Sequence, residues 1–330
     1  MTREWFDAHL DLACLAETGR DMTAPLESCG GPPDPAVTFG SLARGRVTRC
    51  LATVFTEPGG TDAVSYPPGD VQAAHAAGVR QVDRYHAWAR AGLISLGLSA
   101  SAAAPAAFQA GILVEGADPI RDPAELGWWI ERGVVAVGLT WARPSRYAGG
   151  NMTPELGLTD LGRALIDRID AAGIVHDLSH LSDLAMDELL GRARGCVMAS
   201  HSNCRALMDG VNQRHLRDES IRAIAQRGGV IGLNLFGKFL EPSGEGRATL
   251  DHAVNHVEHI CNLVGHARAV GLGSDMDGGF GAAAMPIGIR QPADLDRISQ
   301  KLSERGWSDD DIEAFSSGNW RRFWGCVAAG

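Results

Sequence analysis

Trp5-Phe6-Asp7-Ala8-His9-Leu10-Asp11-Leu12-Ala13 reads as a short buried strand, apolar and bounded by polar residues. Side chains two apart on a strand share a face, so His9 and Asp11 project together from its end. An imidazole and a carboxylate converging there suit a divalent transition metal. A His-x-Asp pair also recurs by chance, so its weight depends on the company it keeps further along the chain.

Outward from this strand the pattern alternates. A second strand at 49–56 is followed by a helical pattern over 70–92, and a third strand at 111–116 ends on Glu115 and Gly116. A helix around 123–132 leads to a strand at 134–140. Thr159 is placed to cap a helix over 160–172, before a strand at 173–180. A helix near 182–192 precedes 196–201, Ser220 is read as the cap of a helix before 229–235, and a helix over 250–265 precedes 269–275. Eight strands alternating with helices argue for a parallel sheet. With no linker and no short repeat, they predict one (β/α)8 barrel domain over residues 1–330 rather than two doubly wound domains. The Gly- and Pro-rich stretch 14–46 is expected to be a long loop beside the site.

Composition narrows the function classes. Forty acidic against thirty basic residues give a net charge of −10, and no Lys/Arg-rich run appears. Nucleic acid and an anionic membrane surface are therefore poor partners. The seven cysteines are scattered without a Cys-x-x-Cys pair, which predicts reduced thiols in a cytoplasmic protein. The opening residues pass straight into the first strand, so no signal peptide is expected. The uncharged run 91–114 is long enough to span a membrane. It is mostly Ala, Gly and Ser and contains Pro105 and Gln109, so it is read as a loop or helix followed by a buried strand.

His9, Asp11, Glu115, His180, His201 and Asp275 all fall at C-terminal ends of the expected strands. In a barrel those ends converge on one face, where active sites of this fold lie. Six ligand-type residues from five strands at one mouth point to a metal centre.

On these residues the chain resembles the membrane (renal) dipeptidase family of the amidohydrolase superfamily. The resemblance is carried by Asp7-Ala8-His9-Leu10-Asp11-Leu12, Val114-Glu115-Gly116, Gly138-Leu139-Thr140-Trp141 and Asp177-Leu178-Ser179-His180. It continues through Ser200-His201-Ser202-Asn203, Arg214-His215-Leu216-Arg217-Asp218-Glu219, Gly273-Ser274-Asp275-Met276-Asp277-Gly278 and Gly318-Asn319-Trp320. It implies two Zn²⁺ per chain, with His9 and Asp11 on one ion, His180 and His201 on the other, and Glu115 bridging. The charges agree: Asp11, Glu115, Asp275 and a bridging hydroxide offset four positive charges. The implied activity is dipeptide hydrolysis by that metal-bridged hydroxide, on L-L and also L-D substrates, in a protein that forms a homodimer.

Asp275 is assigned as general base and acid. Asp277 competes for that role but lies further into the loop. Arg214 resembles the family's anchor for the substrate carboxylate. Where the mammalian members carry a histidine after Leu-Thr, this chain has Trp141, whose indole donates a hydrogen bond but carries no charge. It is expected to narrow the substrate pocket. A metallohydrolase acting on another small amide, lactone or ester is the alternative, and a catalytically silent barrel the next. His252, His256 and His259 share one helical face but belong to an outer helix, so they are read as packing or surface groups. His176, inside a strand, is read as a core group or one behind the ligands.

Overall fold

The computed structural model describes residues 3–101, 103–105, 107–243 and 248–329. Eight parallel strands form the barrel: β1 (Trp5–Leu10), β2 (Val47–Phe55), β3 (Gln109–Glu115), β4 (Val134–Gly138), β5 (Val175–Asp177), β6 (Val197–Met198), β7 (Ile231–Leu233) and β8 (Val270–Leu272). Neighbours in the ring run β7-β8-β1-β2-β3-β4-β5-β6. A parallel bridge between Ala199 and Ile231 closes β6 onto β7. Every expected strand is present, and the short segment Ser95–Leu96 adds a parallel pairing along the start of β3.

Two apolar layers explain the closure. Phe6, Ala8, Leu51, Leu113, Ala136, Val175, Met198 and Val230 fill the interior, and Trp320, Phe323 and Trp324 of the closing helix (Asn319–Ala329) plug its lower end. The Trp320 indole donates to the Leu272 carbonyl at 2.9 Å. Outward-facing residues such as Leu10, Val54, Ile112 and Ile231 join the larger core shared with the surrounding helices. With the interior packed and its lower end plugged, the C-terminal mouth is the face on which a site of this fold would lie.

The helix Asp160–Ala172 starts where its sequence says it should, with Thr159 Oγ1 accepting from the Gly162 N–H at 3.1 Å. Ser220 does not cap. Its helix runs Asp218–Gln226, with Arg217 at the N-cap, because Asp218 and Glu219 supply the acidic first turn. Stretch 14–46 is less irregular than expected, since it contains helical turns at Leu12–Glu17 and Phe39–Arg44. It is fastened to the loop after β8: Asp277 pairs with Arg20 and accepts from the N–H groups of Ala36 and Val37 at 2.8 and 2.7 Å. Asp277 is thereby committed to structure. Among the described residues no helix is long and apolar enough to cross a membrane; in run 91–114 the described residues include a turn and the short strand Ser95–Leu96 ahead of β3.

Candidate active site

All six strand-end residues converge at the mouth, and all are buried. His9 and Asp11 come from β1 and the residue just after it, and Glu115 ends β3. His180, His201 and Asp275 lie three residues past β5, β6 and β8. His180 and Asp275 hold φ of +68° and +59°, left-handed conformations that cost a non-glycine residue about 1 kcal/mol or more and cluster at functional sites. Asp275 also needs Gly278, because a Cβ there would collide with its Oδ1.

Glu115 is the centre of the cluster. Its Oε2 lies 3.3 Å from His9 Nε2, while its Oε1 lies 3.1 Å from His180 Nε2 and 3.4 Å from His201 Nε2. His9 Nε2 is 3.8 Å from Asp11 Oδ1 and 3.9 Å from Asp275 Oδ1. The triads His9–Glu115–His201 and His9–Asp11–Asp275 each keep one donor atom per residue within 4.8 Å of the others.

The electrostatics are those of a site built around cations. Burial works against charge on His9, and Glu115, Asp11 and Asp275 outweigh it, holding the imidazole up to about 10. Burial, then Asp11 and Glu115, push Asp275 up to about 8. Burial, then Glu115, raise Asp11 to about 6. Burial, then Arg214, press His180 down to about 4, and burial, then His9 and Arg214, hold His201 well below its usual range. Two largely uncharged imidazoles thus set their Nε2 atoms 2.9 Å apart, and His9 Nε2 is buried with no hydrogen-bond partner. Nitrogen and carboxylate donors crowded this way fit divalent transition ions.

A cavity of about 560 Å³ opens over the cluster, lined by Asp11, Glu115, His180, His201 and Asp275 below and by Phe55, Trp141, Phe236, Phe239 and Phe280 at its sides. Trp141 stands 6.0 Å from the His180 ring and meets Phe55 edge-on at 5.2 Å. Arg214 does not line this space. It is buried behind it, donating to Ser202 Oγ at 3.0 Å and to the His201 carbonyl at 2.6 Å, with its guanidinium carbon 5.3 Å from the Phe239 ring centre. Its Nε–H is buried without a partner.

Several supporting residues escaped the sequence reading. Thr53 donates to Asp11, Asn234 donates to Asp275 Oδ2 at 2.9 Å, and Asn151 Oδ1 lies 3.2 Å from His180 Nδ1. Single polar residues carry no periodic signal; Asn234 alone, just past the seventh strand, sat where such a group could be sought. The three histidines of the outer helix stay away from the mouth: His256 packs between Cys204 and Leu240, His259 meets Asp218 at 2.8 Å, and His252 Nδ1 accepts from the Thr249 N–H at 3.3 Å. His176 faces outward to Asp170 at 2.7 Å, away from the mouth.

Known proteins align with this fold and sequence. The probable dipeptidase PvdM of Pseudomonas aeruginosa superposes with a TM-score of 0.85 at 21% identity, covering 99% of this chain and 96% of that one. A metallopeptidase of Rhodobacter sphaeroides, liganded with a phosphinate mimic of the dipeptide L-Ala-D-Ala, gives 0.84 at 22% identity, covering 98% and 99%. Dipeptidase aclJ of Aspergillus oryzae is 29% identical over 218 residues, 65% of this chain and 50% of that protein. An uncharacterized dipeptidase of Schizosaccharomyces pombe is 30% identical over 168 residues, 51% of this chain and 40% of that protein. The aligned stretches thus span half or less of these two relatives' lengths. Across residues 2–329 the sequence matches one family from end to end, and the chain belongs to it: the membrane dipeptidase family, peptidase family M19.

Proposed function

We propose that this chain is a dipeptidase working with two zinc ions. The observation that carries the reading is the division of Glu115, with one oxygen turned to His9 and the other to His180 and His201. His9 and Asp11 would hold one ion, His180 and His201 the other, and Glu115 both. Ions bound there acidify a water and polarise the scissile carbonyl. Asp275, with Oδ2 held by Asn234, keeps Oδ1 to take the proton of the attacking water and pass it to the departing amine. Arg214, with its unpartnered Nε–H, supplies the charge for the substrate's free carboxylate, reached past Phe239. Trp141 and Phe55 limit the side chain beside the scissile bond. Both L-L and L-D dipeptides are accepted. The seven free thiols agree with a cytoplasmic setting, and homodimer formation belongs to the same reading.

The test joins elemental analysis of protein purified without added zinc to hydrolysis of dipeptides, an aryl ester and a lactone, before and after chelation. About two zinc ions per chain with chelator-sensitive dipeptide turnover is expected. Ester or lactone turnover without dipeptide turnover would move the substrate class, and a protein that takes up no zinc would remove the metal. Asp275→Asn should lower turnover about 10²–10⁴-fold with metal retained. Arg214→Ala should cost L-L and L-D substrates equally, and no loss for either would end the anchor role.

A further inference from the structure

Ser200 sits just past β6, fully buried, with its hydroxyl in contact with two of the imidazoles. Asp177 accepts from the Ser200 N–H at 2.8 Å and from its hydroxyl at 2.6 Å. A carboxylate accepts, so the single hydroxyl proton of Ser200 is directed at Asp177. What Ser200 Oγ turns to its other neighbours is therefore lone pairs. His201 Nδ1 lies 2.8 Å from that oxygen and His9 Nδ1 lies 3.3 Å from it. The two rings are stacked with centroids 3.6 Å apart, which is how both reach one atom. Ser179 Oγ accepts from the His201 N–H and the Ser202 hydroxyl, so its own proton points to Ser200 Oγ at 3.3 Å, and the two Nδ1 groups share the remaining lone pair. A bare ring nitrogen facing Ser200 Oγ would set lone pair against lone pair, so each Nδ1 carries the proton.

We propose that Ser200, oriented by Asp177, is the positioning residue that fixes the Nδ1–H tautomer of both His201 and His9, leaving an Nε2 lone pair for metal on each side of Glu115. The inference rests on the two-ion reading of the site. An imidazole that ligates through Nε2 needs its proton on Nδ1, and the partner that holds the proton there sets ring orientation and basicity. One hydroxyl does this for a ligand in each half, whereas His180 is served separately by Asn151 Oδ1. Loss of Ser200 Oγ therefore weakens both metal positions together, and loss of the Asn151 side chain weakens one.

Zinc binding to the wild type, Ser200→Ala and Asn151→Ala is measured by competition with a chromophoric chelator, with the melting of each apoprotein as a control for folding. Ser200→Ala should weaken both zinc equivalents about 10–100-fold, and Asn151→Ala only one. Long-range ¹⁵N spectra of the zinc-loaded wild type, which need no variant, should show protonated Nδ1 and metal-bound Nε2 for His9 and His201. Two tight equivalents in Ser200→Ala, weakening of one only, or a deprotonated Nδ1 on either ring would overturn the role of Ser200 and leave the metal reading standing. A wild type that binds no zinc would overturn the metal reading, and this inference with it.

Discussion

Within β1, Asp7 accepts from the His9 N–H at 3.2 Å, from the Ser274 N–H at 2.8 Å, and from the Ser274 hydroxyl. At the end of β5, Asp177 accepts from the Ser179 N–H at 3.1 Å and from the N–H and hydroxyl of Ser200. Both aspartates buckle their own strand to a neighbouring strand's end through a serine, and each serine is followed by a site residue, Asp275 or His201. The scaffolds match and the charges do not. The β1–β8 side gathers Asp11 and Asp275 around His9, and those carboxylates with Glu115 hold that imidazole up to about 10. The β5–β6 side offers His180 and His201, both pressed down by burial first and then by neighbouring positive charge. One backbone device presents a half rich in carboxylates and a half of neutral imidazoles, and among the six site residues Glu115 is the carboxylate turned to both.

The largest effect should come from removing that shared charge. Glu115→Gln keeps the shape of the side chain but leaves His180 and His201 with no carboxylate among the six site residues turned to them. Dipeptide turnover should fall at least about 10³-fold, and zinc content should drop in both halves. Elemental analysis decides it, since loss of a single ion would mean that Glu115 belongs to one half only.

A smaller effect separates the halves. Carboxylates close to a cation contribute more Coulomb energy than neutral imidazoles do. His201→Ala should therefore keep one zinc at least about tenfold more tightly than Asp11→Ala keeps its remaining ion. Equal retention in a chelator competition would show that the charge difference between the halves does not reach the metals.

Much of this contrast was open to reading in the sequence. The eight strands follow from apolar runs bounded by turn residues, and His9, Asp11, Glu115, His180, His201 and Asp275 declare themselves by standing at the ends of those runs. The paired buckles are also present as text, in Asp7-x-His9 with Ser274-Asp275 and in Asp177-x-Ser179 with Ser200-His201. They go unseen as a repeat because each depends on which strand lies beside which. The pairing of Asp277 with Arg20 across 257 positions is hidden for the same reason, so a loop that looked irregular proved to be tied down. Arg214 shows a different limit: its residue type suggests a ligand for a carboxylate, but only packing reveals that it stands behind Phe239 and spends donors on Ser202 and His201.

Acid sensitivity sharpens the comparison further, and His256, buried away from the mouth, measures one share that the rest of the fold contributes. It is fully buried on the helix Leu250–Val264, where Nδ1 accepts from the Cys204 N–H at 3.1 Å and Nε2 donates to the Leu240 carbonyl at 3.1 Å. Both contacts require the neutral Nε2–H form, and a proton on Nδ1 would face the Cys204 N–H. Burial, with His259 and His252 adding to it against the pull of the Leu240 carbonyl, lowers His256 from 6.5 to about 4. Below pH 6.5 the unfolded chain therefore takes up a proton here that the folded chain refuses until about 4, and stability falls as pH falls through that window. His256 alone should cost about 1 kcal/mol between pH 6.5 and about 5.5. His256→Asn, whose side-chain oxygen can still accept from Cys204, should be less stable at neutral pH by about 1 kcal/mol and lose less as the pH drops. Denaturant unfolding of the apoprotein at both pH values measures the slope. A slope unchanged by the substitution would remove the outer helix as a source and leave the acid sensitivity to the other histidines that burial holds down, His180, His201, His215 and His176.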